Sequence, residues 1–134
     1  MAHLMFCLRR LPHLTREQFQ HHWRNVHGPL VRAHAGALGL SAYVQSHALP
    51  ETMDTHLARQ RGAPPSFDGI AQLWWHARRL DAPQKEAARR ANAVLLEDER
   101  RFIDLAASPI FLAEDHEVLR LFAHSRSNHD DKET

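Results

Sequence analysis

One strand-like run, residues 67–77, carries large apolar groups on both of its faces. Ile70, Gln72, Trp74 and His76 alternate with Ala71, Leu73 and Trp75. Successive side chains of a strand point to opposite sides of the sheet, so both sides of this one need cover. Helices of the same chain can cover one side. For the other, a second copy of the chain is the economical partner, which predicts a homodimer through the sheet face.

The remaining elements fit around this strand. Residues 3–9 are apolar and stop at a turn-like Arg10-Leu11-Pro12, as a first strand does. Thr15 and Gln18 form a capping box, so a helix starts there. Phe19, Trp23, Val26 and Leu30 recur at helical spacing. Pro29 removes a backbone donor and presses on the preceding turn, which predicts a kink or restart near Gly28. The restarted segment runs to Ala35, and Gly36 and Gly39 mark its exit. Residues 40–49 read as a second strand ending at Pro50. Residues 50–66 form a long connection, with a helical turn at 52–59. Asp81 and Gln84 cap a second helical region, with apolar positions from Ala87 to Leu105 and a stop at Ser108-Pro109. Residues 110–118 are a fourth strand. The order β-α-β-β-α-β defines a ferredoxin-like α+β fold with a four-stranded antiparallel sheet. One domain, residues 1–122, is expected, followed by a disordered polar tail at 123–134.

Composition narrows the function. The chain has 17 basic and 16 acidic residues, a net charge of +1, which gives no electrostatic footprint for nucleic acid. No apolar run reaches the roughly 20 residues that span a bilayer, so no membrane partner is expected, and no signal peptide is predicted. The single cysteine, Cys7, sits in an apolar run and points to a reducing cytoplasm. The 12 histidines are scattered, with no His-Glu-x-x-His and no Cys-x-x-Cys, so no metal site is expected.

His27 is the first functional candidate. It lies at the edge of the apolar stripe, where a half-buried imidazole can act as a general base. Tyr43, Gln45 and His47 share one strand face, and a Tyr-His pair can polarise a carbonyl or hold an enol. Asp68, if it points inward, can orient His27 or accept a proton. Gln72 is an amide inside an apolar strand and needs partners. Asp98 lies on an apolar helix stripe, where it is either paired with Arg24, Arg100 or Arg101 or raised in pKa. A pocket between sheet and helices would be walled by Phe6, Phe19, Trp23, Trp74 or Trp75, and Phe102. Aromatic walls with a few polar groups suit a ring-shaped ligand. The catalytic set is then His27, Tyr43, His47 and Asp68. The substrate-binding set is Trp23, Gln45, Gln72, Trp74 and Phe102.

The chain resembles the EthD family of the dimeric α+β barrel superfamily. The matching residues are Phe19-x-x-x-Trp23-Arg24-Asn25-Val26-His27-Gly28-Pro29-Leu30-Val31, Tyr43-Val44-Gln45-Ser46-His47, Phe67-Asp68-Gly69-Ile70-Ala71-Gln72-Leu73-Trp74 and Asp98-Glu99-x-x-Phe102-Ile103-Asp104. The resemblance implies an association with oxidative degradation, including ether oxidation systems. Relatives in the wider superfamily cyclise polyketides, oxidise anthrones, isomerise muconolactones, or dehydrate or decarboxylate pigment precursors, often without a cofactor. The expected function is therefore a small cofactor-independent enzyme, an oxidoreductase or a lyase or isomerase. Its substrate would be a hydrophobic oxygenated or aromatic compound of catabolism or tailoring. The alternative is a non-catalytic binding or accessory subunit of an oxygenase system. No cofactor is expected; haem held by His27 or another histidine is the remaining possibility.

Overall fold

A computed structural model describes residues 2–50 and 56–121. Strands β1 (Ala2–Leu8), β2 (Leu40–His47), β3 (Gly69–Trp75) and β4 (Ile110–Glu114) form one sheet in the order β2-β3-β1-β4. Every neighbouring pair is antiparallel. Helices α1 (Arg16–His22), α2 (Gly28–Leu38), α3 (His56–Gln60) and α4 (Ala82–Glu99) complete the ferredoxin-like α+β fold. Strands end earlier than the apolar pattern suggests, β4 at Glu114 rather than Val118. The helical turn expected at 52–59 is found at His56–Gln60, and residues 51–55 lie outside the described residues. So does the tail expected at 123–134. Among the described residues no helix is long and apolar enough to cross a membrane.

Both capping boxes form. Thr15 accepts from the Gln18 backbone and Asp81 from that of Gln84, and each glutamine side chain reaches back to the cap. Each therefore satisfies amides that a helix start leaves orphaned.

Of the kink or restart expected near Gly28, the restart is found: α2 begins at Gly28, after a π-helical turn over Trp23–His27. His27 and Gly28 keep right-handed helical backbone angles, and the Gly28 N–H bonds to the Trp23 carbonyl five residues back. Helical backbone geometry thus runs unbroken through the junction, and Pro29 sits in the first turn of α2, where a missing donor costs least. The wider turn also changes the buried stripe. Phe19, Trp23, His27 and Val31 are buried, while Val26 is 47% exposed. At about 3.6 residues per turn, a four-residue spacing drifts steadily off one face of an α-helix. One π turn absorbs that drift, and it carries His27 inward in place of Val26.

Register assigns the sheet faces. Leu4, Phe6 and Leu8 pair with Leu73, Ala71 and Gly69. Tyr43, Gln45 and His47 pair with the same three residues from the other side. These residues form the helix-covered face. Met5, Cys7, Val44, Ile70, Gln72, Trp74 and Phe111 fall on the opposite face. The core cluster comprises Leu8, Phe19, Trp23, Ala71, Phe102 and Ile103.

Gly69 lets the Trp23 indole lie against the sheet. A Cβ at this position would stand 2.3 Å from the indole ring and 2.7 Å from the Ser46 carbonyl. Because the second obstacle is backbone, Gly69→Ala is expected to cost about 1–3 kcal/mol through overpacking, measured by urea unfolding. An unchanged midpoint would mean that Trp23 has room to retreat.

Candidate functional site

A cavity of about 270 Å³ lies between the sheet and the helices. Its walls are apolar, with Leu4, Phe6, Leu73 and Trp75 from the sheet and Val31 and Leu95 from the helices. Among the described residues, three ionisable side chains reach it: His27, Tyr43 and Glu99. An apolar space with a few convergent polar groups is the usual form of a small-molecule site.

His27 enters from the π turn and is 5% exposed. Its Nδ1–H donates to Asp98 Oδ2 at 2.8 Å. The same carboxylate accepts from His22 Nε2 at 3.1 and 3.2 Å and from Arg101 Nη1 at 3.3 Å. Burial holds the His27 pKa below the ordinary histidine value, against the opposing pull of Asp98. For Asp98, burial alone would raise the pKa; the hydrogen bonds from His27 and His22 outweigh it and keep the carboxyl low. The outcome at neutral pH is a neutral imidazole beside a charged carboxylate. With Nδ1 protonated, Nε2 carries the lone pair, as a base requires.

Tyr43 comes from β2, and its hydroxyl is the hub of a second network. It accepts from Trp23 Nε1 at 3.1 Å and from Gln45 Nε2 at 2.9 Å. Gln45 Nε2 also donates to the Trp23 carbonyl at 2.9 Å, the carbonyl that closes the π turn. His47 Nε2 in turn donates to Gln45 Oε1 at 2.8 Å, and its ring stacks on Trp23 at 4.3 Å. A phenol oxygen has two lone pairs and one proton. Both lone pairs are engaged, so the proton remains for a guest in the cavity. Burial raises the Tyr43 pKa above its ordinary value, which keeps that proton in place. Burial and the Arg24 charge hold His47 below the ordinary histidine value.

Glu99 ends α4 one residue after Asp98. Burial, assisted by the Asp98 charge and opposed by Arg100, pushes its carboxyl up to about 7. It is therefore a carboxylic acid able to give or take a proton near neutrality.

The sequence candidates divide into groups. His27, Tyr43 and Trp23 line the cavity, and Gln45 and His47 lie directly behind Tyr43. Asp68 is elsewhere. Its Oδ2 accepts from the Arg10 N–H at 2.8 Å, and its Oδ1 accepts from Arg16 Nε at 3.0 Å and from the Arg10 guanidinium. Burial would raise this carboxyl, but these donors hold it below the usual carboxylate range. The carboxylate that orients His27 is thus Asp98, not Asp68. Gln72 and Trp74 lie on the far face of the sheet, where Trp74 stacks on His3 at 4.6 Å; Trp75 takes the cavity position. Phe102 is fully buried behind the rings of His22 and His27, at 4.6 and 5.1 Å. His22 and Glu99 were not among the candidates. Both carry polar side chains on exposed-looking helix ends, and only the presence of Asp98 on an apolar stripe hinted at a buried polar cluster.

Fold and site together define a ferredoxin-like α+β domain with a His–Asp dyad opening on an apolar cavity. The EthD domain matches residues 11–106, and the chain belongs to that family. An EthD-like protein from Ralstonia eutropha, known from a crystal structure, is similar in fold, with a TM-score of 0.53 and 19% sequence identity. The match covers 84% of this chain and 90% of that one. No curated protein matches the sequence.

Proposed function

We propose that this protein is an acid–base enzyme acting on a small, hydrophobic, oxygenated compound, of one or two rings, in a catabolic or tailoring pathway of the cytoplasm. The observation that carries this reading is the hydrogen bond of His27 to Asp98 beside a cavity that His27 and Tyr43 both line. A void of about 150 Å³ already holds benzene, so this cavity suits a ring compound with one or two substituents. His27 Nε2 takes a proton from the carbon next to a carbonyl. The C–H electron pair becomes the new C=C bond, and the carbonyl π electrons move to oxygen. Tyr43 donates its hydrogen bond to that oxygen where the charge develops. Glu99 can return a proton at a neighbouring carbon. Such a step is shared by isomerisation, cyclisation and dehydration, and it calls for no cofactor. The far sheet face, with Ile70, Trp74 and Phe111, is where a second copy of the chain would pack.

The test is hydrogen–deuterium exchange at the α-carbons of aromatic ketones and lactones in D₂O, followed by NMR. The protein is expected to catalyse exchange into at least one compound, and His27→Gln to slow it about 10²–10⁴-fold with unchanged circular dichroism. The rate should fall on the acid side, with an apparent pKa below that of an ordinary histidine, because only neutral His27 accepts the proton. Binding of ligands with no exchange, indifferent to His27→Gln, would favour instead a non-catalytic binding or accessory subunit.

A further inference from the structure

A second, open depression of about 560 Å³ adjoins the cavity and shares Val31, Leu40 and Tyr43 with it. It runs between α2 and the edge strand β2. Two chain irregularities meet there. The π turn ends at Gly28, which lines the depression, and β2 carries a bulge between Leu40 and Ala42 that leaves Ser41 facing it. Bulges and π turns both re-aim side chains, and both concentrate at functional sites. Arg24 and Arg32 stand on the helical side, and among the described residues no acidic side chain lines the depression. Among the described residues neither arginine is paired with a carboxylate. Most arginines elsewhere in the fold do find acceptors, as Arg10, Arg16, Arg78, Arg89 and Arg101 show. Two guanidinium groups with a serine hydroxyl, beside an apolar cavity, form a complement to a carboxylate: the planar fork binds both of its oxygens.

Resting on the acid–base reading above, we infer that the substrate carries a carboxylate. Arg24 and Arg32 hold that group in the outer depression while its ring and carbonyl reach past Tyr43 to His27. The substrate class is then a hydrophobic keto acid rather than a neutral ketone. Charge on the outside and apolar surface within would also fix which end enters first.

Matched probes test this: 4-acetylbenzoate and 4-acetylphenylacetate against their methyl esters, with binding followed by tryptophan fluorescence and calorimetry. The acids are expected to bind the wild-type protein about tenfold or more tightly than the esters, with an advantage that shrinks as salt is raised. The double variant Arg24→Gln, Arg32→Gln should lose that preference while ester binding changes less than about twofold. Both residues are exposed, so folding is expected to survive, as circular dichroism would show. Equal affinity for acid and ester, or a preference that survives the double variant, overturns the inference. Exchange at the acetyl group is read separately. If acids bind through the arginines but no exchange occurs, the carboxylate site stands and the acid–base reading falls. If exchange occurs without acid preference, the reverse holds.

Discussion

Asp68→Ala is expected to destabilise the protein by about 3–5 kcal/mol, the cost of removing one member of a buried charged cluster. The carboxylate is 4% exposed and ties three parts of the chain together. It accepts from the Arg10 amide just after β1, from the Arg16 side chain at the start of α1, and from the Arg10 guanidinium. Arg16 itself is 9% exposed and reaches on to the Leu49 carbonyl and Ser66 Oγ, on the connection before β3. Without Asp68, two guanidinium groups each lose a buried anionic partner. The dependence on pH has a definite sign. The folded-state pKa is depressed, so this stabilisation is present above the unfolded value and is lost as pH falls through the folded one. Urea unfolding at neutral pH should therefore separate wild type from variant widely, and the gap should close in strong acid. At temperatures where the variant stays folded, exchange activity should be retained within a few-fold. A stable but inactive variant would return Asp68 to the catalytic set.

Phe102→Ala should cost a similar amount, about 3–5 kcal/mol, because its ring is fully buried and the void cannot close. The ring packs on Phe19 at 5.4 Å and beneath both histidines that serve Asp98. Its removal frees the His27 imidazole to tilt, so turnover number should fall more than apparent affinity. A ring that held substrate directly would show the opposite split, with KM rising first. Phe102→Leu, which keeps most of the volume, should recover stability by more than half.

Much of the architecture was legible in the chain. The element order, both capping boxes and the two-faced β3 were written in local patterns, and those patterns specify local geometry. The π turn was not, because a stripe read at 3.6 residues per turn selects Val26 over His27. His27 was nevertheless singled out, on its place beside Pro29. Its partner was missed because the pairing spans 71 residues of chain, and nothing local to Asp98 distinguishes a histidine from the arginines beside it. Trp74 and Trp75 were interchangeable for a related reason. Both faces of β3 are apolar, so alternation tells that two faces exist but not which one the helices cover. Glu99 looks like a solvated glutamate until the sheet closes over it.

The filled lone pairs of Tyr43 have a consequence for molecular selection. A hydroxyl whose acceptor capacity is spent speaks to its guest in one direction only. A ketone, an ester or an ether oxygen meets a proton there. An amide N–H or an ammonium placed at the same point meets no acceptor and forfeits the water it left behind, a penalty of about 1–3 kcal/mol. Trp23 and Gln45 thus act as a polarity filter one shell away from the ligand. They favour a guest atom that accepts a hydrogen bond and disfavour one that can only donate, without touching either.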